Sequence, residues 1–561
     1  MNSRLLFPSI EGTEVLFTDE FQEYLLSLHD LLSDRILEAR KERIRTVEMV
    51  HKNGINVLEL PTSEINTTDW QVDSVPDDLK QPGIEISGPA GIASMFINAV
   101  NPGPEGERAV GYLDDDEDSG GHSFADTLNS ALNRMYSVTG SLRFEDVSRD
   151  RVYEIEPGPL PFFMHRERGL HLDEADVTID GNPVSATILS TALTLFHAGR
   201  EQINLNQGVY FYLPKLESVE ETSIYHDMFE ASRELLKLPQ NAIIKAIILV
   251  ESLPTVFRME NMLYALGPYG AGLNAARWDL KASILEYIMA DDKSVWPDRF
   301  DVDVKTTDFI SNIFRRLVAV CLKHGAVAIG GMATALPSRD EEINELAADS
   351  IRSDKEWEAR QGFLRGWSAH IYHMKTASDP FKEWWSTGWV PPEELKDPAN
   401  FPLSIDTPIG AITTEGTRRN IRTIIEYVEG WLSGRGAKGI DSMEGREGKR
   451  PALMEDLATA RISVGQVSQR IIHSAVGQDT EQTHTLGSVR HITDIETDDI
   501  LRLRATQFSG EELSAIESRY RASRKITLRW IKNYTDMDFR SLGSYTRDCL
   551  LYTSPSPRDR G

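Results

Sequence analysis

The sequence predicts a (β/α)8 TIM barrel with helical segments before and after it. From about residue 84 onward, short and mainly apolar runs follow one another, and most of them lead into a polar or charged residue. A strand without polar alternation is buried on both faces, as the strands of parallel sheets are. Stretches with helical periodicity lie between these runs. This alternation of strand and helix is typical of a parallel α/β fold.

Six strands can be placed from these runs. Helical stretches separate them, for example 219–238 and 307–323. Six predicted strands that follow one another along the chain favour a closed eight-stranded barrel over an open sheet. The sequence alone does not give the number of strands. The candidate strands are 109–113, 162–165, 209–213, 243–250, 272–278 and 326–329.

The segments on either side of the barrel differ from it in pattern. Residues 21–48 have apolar positions at helical spacing, whereas 61–82 is predicted as loop. After Pro391 the alternation stops, and a polar, Gly-rich linker is predicted at 434–450. The C-terminal helices are predicted at 415–432, 452–473 and 509–534.

These boundaries predict three domains and a tail. An N-terminal helical segment covers 1–83, the barrel covers 84–392, and a C-terminal helical domain covers 393–548. Residues 549–561 resemble a translated sequencing adapter, so we expect a non-native tail there. A tripeptide that directs a chain to the peroxisome would lie at that end, so the sequence leaves such an address open.

Composition excludes several classes of protein. With 561 residues, 40% hydrophobic and 26% charged, the chain suits a globular protein with a barrel and accessory domains. No stretch reaches the roughly 18 apolar residues of a membrane span, and the N-terminus lacks the apolar core of a signal peptide. The net charge of −27 argues against nucleic acid or an anionic membrane as partner, because both attract basic surfaces.

Cysteine usage points to a reducing compartment. Cys321 and Cys549 are the two cysteines of the sequence, so neither a disulfide framework nor a cysteine metal site is predicted. A cytoplasmic location is the simplest interpretation.

Two of the predicted strands lead into a carboxylate. The run 243–250 leads into Glu251, and the run 272–278 leads into Asp279. Strand ends form the rim of a barrel, where α/β enzymes keep their chemistry. Two carboxylates there can hold one hard divalent cation, with water and an oxygen-rich substrate at its other positions. Each acid can instead cap a helix or pair with an arginine, but together they favour a magnesium enzyme.

Other charged residues also follow predicted strands. The acidic run 114–118 cannot supply five ligands to one metal because of mutual repulsion, and such a run is usually a solvated loop. Arg166 is suited to a carboxylate or enolate oxygen, or else to a salt bridge with the acidic run. His171 and the pair His370 and His373 form no tight cluster in the sequence, so we interpret them as structural or surface residues.

Common catalytic motifs are missing from the sequence. The Gly-rich segment 330–333 does not have the spacing of a phosphate-binding loop. There is no nucleophile elbow, Walker motif or dinucleotide fingerprint. Serine hydrolase, nucleotidase and dehydrogenase activities are therefore unsupported.

The residues around Asp279 carry a family resemblance. The segment 272–279 resembles the malate synthase signature Gly-Leu-Asn-x-Gly-x-Trp-Asp, and the chain is similar to the A-type of that family from residue 69 to about residue 545. The other segments that carry the resemblance are 69–70, 84–89, 115–119, 166–171, 212–215, 251–254, 330–333, 337–341, 414–416, 420–422 and 453–460.

The resemblance implies a TIM barrel with an N-terminal helical clasp and a C-terminal helical domain. It implies an acyltransferase of the glyoxylate cycle that makes malate and CoA from acetyl-CoA, glyoxylate and water. In that family the residues matching Arg166 and Asp456 are catalytic, and those matching Glu251 and Asp279 bind Mg²⁺. The resemblance also implies that Asp115 and Glu117 support the water molecules of the metal, and that Ala276, Arg277, Trp278 and Asp279 join Arg166 in binding substrate.

The chain also departs from the family pattern. Ala276 replaces the second glycine of the signature, and Leu280-Lys281-Ala282 replaces the usual aromatic-aliphatic-aromatic residues. Ile371 and Tyr372 stand where the family has Pro-Gly near the CoA site. Two alternatives therefore stay open: a related acyl-CoA lyase or synthase that acts on another 2-oxoacid or acyl-CoA, and a non-catalytic relative that binds CoA or a protein partner. The sequence does not define the oligomeric state.

Overall fold

The structure, a computed structural model, describes residues 3–540 and 542. Its central feature is a closed barrel of eight parallel strands, which follow one another in chain order, with the last paired to the first. The predicted (β/α)8 fold is confirmed. The strands are β1 (Gly83–Pro89), β2 (Gly111–Asp115), β3 (Phe162–Arg166), β4 (Val209–Leu213), β5 (Ile244–Val250), β6 (Gly270–Ala275), β7 (Val327–Ala333) and β8 (Arg365–Ser368).

All six predicted strands are present, and two further strands complete the barrel. The predicted run 272–278 is shorter in the structure, because β6 ends at Ala275 and Trp278 already belongs to the helix Arg277–Tyr287. β7 is longer than expected and continues through the glycine pair 330–331. The two strands without a prediction are β1 and β8, both of which place a charged residue inside the barrel.

A buried charge network occupies the interior of the barrel. Glu85 of β1 accepts hydrogen bonds from Arg365 Nε at 2.5 Å and from the Tyr212 hydroxyl at 2.8 Å. The Trp367 indole N–H also donates to Glu85, at 3.1 Å. Glu85 and Arg365 are both fully buried. The network therefore ties β1, β4 and β8 together inside the apolar barrel core.

Removing the Glu85 carboxylate is expected to destabilise the barrel strongly. The Glu85→Ala variant leaves the Arg365 charge buried without its counter-ion, which should lower the free energy of unfolding by about 3–5 kcal/mol. Urea denaturation at pH 7 measures this. The matched control is Glu383→Ala, because Glu383 pairs with Arg352 at the surface and its loss should cost less than about 1 kcal/mol. A similar small loss for Glu85→Ala would contradict the structural role of the network.

The chain forms two compact units. The first contains residues 1–46, 59–277 and 313–402, and the second contains 47–58, 278–312 and 403–561. The long helix Asp19–Asn53 covers the predicted 21–48. The other helices up to residue 402 are Thr13–Leu16, Glu64–Thr67, Ala93–Val100, Phe124–Val138, Ala186–Leu193, Arg200–Asn204, Val219–Leu235, Leu253–Val256, Met259–Ala265, Arg277–Tyr287, Asp308–Lys323, Glu341–Gln361 and Met374–Ser386, with a π-helix at Thr194–Gly199.

Small strands accompany the barrel in the first unit. Leu5–Leu6, Asp173–Ile179 and Asn182–Ser185 form a three-stranded sheet, and Arg143–Asp146 pairs with Arg151–Glu154 in a hairpin.

A buried glutamate ties the segment before the barrel to the barrel helices. Glu260 accepts hydrogen bonds from Lys323 Nζ at 2.7 Å, His324 Nε2 at 2.9 Å and Asn66 Nδ2 at 3.0 Å. Burial alone would raise the pKa of Glu260, but the bonds from His324, Lys323 and Asn66 outweigh it and lower the pKa to about 2.

Acid is expected to remove the stability that Glu260 contributes. A carboxyl group with a depressed folded-state pKa stabilises the fold above its ordinary pKa, which is 4.5 for Glu260, and this stability is lost as the pH falls toward 2. Glu260→Gln should therefore destabilise the chain by about 2–3 kcal/mol at pH 7 and by much less near pH 3. Urea denaturation of both proteins across this range measures the difference. A difference that does not change with pH would contradict the prediction.

The second unit is mainly helical. Its C-terminal helices are Thr414–Leu432, Leu457–Ile472, Leu486–Gln507 and Gly510–Thr535. They enclose an apolar core that includes Tyr427, Trp431 and Trp530. A short antiparallel ladder joins Lys438–Ile440 to Leu453–Glu455, so the predicted helix 452–473 begins later than expected.

Two further points concern the whole chain. Across the described residues, no helix is both long and apolar enough to cross a membrane. Cys549 and the predicted tail 549–561 lie outside the described residues.

Candidate active site

Three carboxylates lie together at the carboxyl-terminal rim of the barrel. Glu251 directly follows β5, and Asp279 lies in the first turn of the helix Arg277–Tyr287, which follows β6. Carboxylate oxygens of Asp118, Glu251 and Asp279 lie within 4.8 Å of one another, and all three residues are buried. The spacing and the oxygen donors fit one hard divalent cation.

Lys215 holds two of these carboxylates. Its backbone N–H donates to Glu251 Oε1 at 2.6 Å, and its Nζ donates to Asp118 Oδ1 at 2.8 Å. The Lys215 backbone has a left-handed φ of 51°, a conformation that costs energy for a residue other than glycine. This turn directs both the N–H and the side chain of Lys215 at the carboxylate cluster.

The acidic run 114–118 is buried, contrary to the solvated loop that such a run usually forms. Every side chain of the run has a charged partner. Arg134 pairs with Asp114 at 2.6 Å and with Asp116 at 2.9 Å. The other pairs are Asp114 with His165, Asp115 and Asp118 with Arg166, and Glu117 and Asp118 with Lys215.

Negative charge still exceeds positive charge in this cluster. Burial raises the pKa of Asp116 to about 7, and the neighbouring charges of Glu167 and Asp114 add to this effect, against the opposing effect of Arg134. By contrast, the Arg166 guanidinium and Ser119 overcome burial at Asp115 and lower its pKa to about 2. A divalent cation at Asp118 and Glu251 would offset the excess negative charge.

Arg166 is fixed at the end of β3. Its Nε and Nη2 donate to the two oxygens of Asp115 at 2.6 and 2.7 Å, and its Nη1 lies 3.1 Å from Asp118 Oδ2. These contacts use three of the five N–H donors of the guanidinium. Asp115 therefore orients Arg166, and Asp118 both contacts Arg166 and belongs to the carboxylate cluster. The predicted catalytic arginine is at the rim, beside the carboxylate cluster.

The segment 276–279 forms the start of a helix. The side chain of Arg277 pairs with Glu358 at 2.5 Å and Asp354 at 2.9 Å, so its guanidinium is engaged in ion pairs within the barrel unit. Ala276, Arg277 and Trp278 are only partly exposed. The backbone N–H groups at a helix start attract anions, and they are the part of this segment that is suited to a carboxylate ligand.

Asp456 begins the helix Leu457–Ile472 in the second unit. Its Oδ1 accepts from the Thr459 backbone N–H at 3.2 Å, while Thr459 Oγ1 accepts from the Asp456 N–H at 3.0 Å, which completes a capping box. On the same helix, Arg461 Nη1 donates to Asp279 Oδ1 at 2.9 Å and Nη2 donates to Glu286 at 2.5 Å. The helix that carries Asp456 is thus bonded directly to Asp279.

The structure adds one residue to the site. Asp118 joins Glu251 and Asp279 in the cluster, whereas the sequence predicted supporting roles for Asp115 and Glu117. In the structure Asp115 pairs with Arg166, and Glu117 accepts from the Gly169 N–H at 2.5 Å. The acidic run itself was the signal in the sequence, but which of its residues joins Glu251 and Asp279 depends on the path of the loop after β2.

A closed parallel barrel with a carboxylate cluster at its carboxyl-terminal rim is the arrangement found in metal-dependent barrel enzymes. Two family models match the chain: "Malate synthase, TIM barrel domain" over residues 162–391 and "Malate synthase, C-terminal" over residues 411–546.

Relatives with sequence similarity span most of the chain. The malate synthase of Myxococcus xanthus is 33% identical and covers 83% of each chain. Malate synthase A of Escherichia coli is 31% identical over 83% of this chain and 84% of its own. The malate synthase of Streptomyces clavuligerus is 31% identical over 96% of this chain and 97% of its own. The chain belongs to the malate synthase family.

Proposed function

We propose that the chain condenses acetyl-CoA with glyoxylate and hydrolyses the resulting thioester to malate and CoA, with Mg²⁺ as its metal. The observation that carries this proposal is the grouping of Asp118, Glu251 and Asp279 beside Arg166 at the barrel rim. These three carboxylates would hold the Mg²⁺. When bound, the cation supplies Lewis-acid polarisation of the glyoxylate aldehyde and a template for its carboxylate.

In the first step, Asp456 acts as the general base. The methyl group of a thioester is a weak carbon acid, so the base must be ionised and close to it. The Asp456 carboxylate takes one proton from the acetyl methyl group. Arg166 stabilises the enolate oxygen that forms, because its guanidinium stays charged and is already oriented by Asp115.

In the second step, a carbon–carbon bond forms. The enolate carbon attacks the aldehyde carbon of glyoxylate, whose carboxylate is suited to the backbone N–H groups of 276–279. The aldehyde oxygen becomes an alkoxide and takes up one proton, which balances the proton that Asp456 removed, so the product is malyl-CoA. Water then adds to its thioester carbonyl, and the carbon–sulfur bond breaks to release malate and the CoA thiol. This hydrolysis makes the overall reaction effectively irreversible.

Thiol release tests the proposed function. Purified chain with acetyl-CoA, glyoxylate and Mg²⁺ should release free thiol, and omission of glyoxylate or addition of EDTA should stop the release. An intact protein that releases no thiol would contradict the proposal.

A second candidate is a related lyase or synthase with another acyl-CoA or 2-oxoacid. The observation behind it is the altered residue Lys281, which is buried and whose Nζ lies 4.5 Å from the centre of the Trp278 ring, beside the segment 276–279 that we propose to bind the 2-oxoacid. A panel of 2-oxoacids and acyl-CoAs in the same assay distinguishes the candidates. A lyase would interconvert malyl-CoA without hydrolytic release of CoA.

We also propose the domain division and a location for the chain. The division into a clasp at 1–83, a barrel at 84–392 and a helical domain at 393–548 is supported by the start of β1 at Gly83 and by the helices after Thr414. A reducing, cytoplasmic location agrees with the buried free thiol of Cys321.

A further inference from the structure

A buried arginine contacts the segment that carries Asp456. Arg299 is 1% exposed. Its Nη2 lies 3.4 Å from Glu455 Oε1 and 3.5 Å from Thr423 Oγ1. Glu455 ends the short strand Leu453–Glu455, and Asp456 is the next residue. The ion pair therefore lies one residue from the proposed base.

The backbone of Arg299 is fixed to the helix that Asp456 caps. Its N–H donates to Gln466 Oε1 at 3.1 Å, and Gln466 Nε2 donates to the Pro297 carbonyl oxygen at 2.5 Å. Gln466 lies in the helix Leu457–Ile472. Arg299 is thus held by one part of this helix while its side chain reaches the segment at the start of the helix.

The Arg299 guanidinium is buried close to two aromatic rings. The guanidinium carbon of Arg299, Cζ, lies 4.4 Å from the centre of the Phe300 ring and 5.6 Å from the centre of the Trp278 ring. Within the part of the chain that the structure describes, its Nε and Nη1 are buried and have no hydrogen-bond partner. Two of its three nitrogens are therefore buried without a hydrogen bond, in surroundings where electrostatic effects are strong.

Several charges act on this group. Burial lowers the pKa of Arg299, and the carboxylates of Glu455 and Asp456 oppose that shift, so the guanidinium stays protonated. Arg419 is the neighbouring cation, and Arg299 contributes to the lowered pKa of Arg419 after burial. The other charged groups that act on Arg419 are Asp298, Arg450 and Asp441.

We propose that Arg299 is a positioning residue for the base: its side chain holds the Glu455–Asp456 segment in place and puts a buried positive charge beside that segment. This inference rests on the proposed function, in which Asp456 removes the proton from acetyl-CoA. Arg299 acts through Asp456 and Glu455.

The pH profile of kcat tests this role. Arg299→Met removes the positive charge and should move the acidic limb of the profile to higher pH by about one unit. Arg299→Lys keeps the charge and should restore the limb to its position in the unsubstituted chain. Glu455→Gln removes the neighbouring negative charge and should move the limb in the opposite direction, to lower pH. The KM for acetyl-CoA should change little in all three variants.

Opposite shifts in two variants separate this role from a structural one. A residue that only supports the fold would lower kcat and thermal stability without moving the limb. If Arg299→Met does not fold, the acidic limbs of the pH profiles of Glu455→Gln and Arg299→Lys still test whether Arg299 acts on Asp456. Limbs that stay in place in folded, active variants would overturn the inference. If the unsubstituted chain releases no thiol, this result would instead contradict the proposed function and the role of Asp456 as its base.

Discussion

Replacement of Asp456 by asparagine is expected to lower kcat for thiol release by roughly 10²- to 10⁴-fold, the usual contribution of a general base. The asparagine amide cannot take the proton of the acetyl methyl group. It can still cap the helix Leu457–Ile472, because its side-chain oxygen can accept from the Thr459 N–H as the Asp456 Oδ1 does at 3.2 Å. Steady-state kinetics and thermal denaturation measure the two effects separately.

The matched control for this variant is Asp397→Asn. Asp397 caps the short helix Pro398–Asn400 by accepting from the Ala399 N–H at 2.9 Å. The same chemical change at that cap should leave kcat unaltered. An Asp456→Asn protein that keeps more than about a tenth of kcat would contradict the role of Asp456, since even a weak general base contributes more than that.

Replacement of Glu251 by glutamine is expected to weaken Mg²⁺ binding by roughly 100-fold or more, because even outer-shell changes cost 10- to 100-fold in metal affinity. The glutamine oxygen can still accept from the Lys215 backbone N–H, which Glu251 does at 2.6 Å. The fold should therefore be preserved while one anionic ligand is lost. Isothermal titration with Mg²⁺ measures the affinity without reference to activity, and thiol release should fall in parallel.

Glu260→Gln is the matched control for this second change. Glu260 is also a buried glutamate of the barrel unit, but its partners are Lys323, His324 and Asn66. Its replacement should lower stability and leave Mg²⁺ affinity unchanged. Equal Mg²⁺ affinity in Glu251→Gln and the unsubstituted chain would contradict the assignment of Glu251 as a ligand.

The sequence predicted the apolar strands of the barrel but not the charged ones. β4 lies where the continuous run 209–213 placed it, because burial on both faces demands apolar residues throughout. β1 and β8 contain Glu85 and Arg365, which neutralise each other inside the barrel. These residues are 280 positions apart in the chain, so neither segment alone shows that its charge can be buried.

At the candidate site, the burial of the acidic run 114–118 also could not be predicted from that segment alone. Five successive carboxylates indicate a solvated loop when they are considered alone. Their burial depends on Arg134, Arg166 and Lys215, which come from three other segments of the chain. The sequence did predict Glu251 and Asp279, since both directly follow apolar runs. Asp118 could not be selected from the run without the path of its loop.

In the C-terminal region, the pairing of two short strands shifts the start of one predicted helix. Residues 452–473 have helical periodicity, but Leu453–Glu455 pairs with Lys438–Ile440 as a ladder. The helix therefore starts at Leu457, and Asp456 becomes its cap rather than an internal residue. This placement matters for the chemistry, because it puts the Asp456 carboxylate at a helix end and one residue beyond the ion pair of Arg299 and Glu455.

The proposed reaction forms malate and CoA in equal amounts, so the stoichiometry of the products tests it. Purified chain, acetyl-CoA, glyoxylate and Mg²⁺ are mixed, and malate and free thiol are quantified in the same samples. We predict equal amounts of malate and thiol, formed only in the presence of the metal. Malyl-CoA that accumulates without thiol, or product formation that persists in EDTA, would contradict the account.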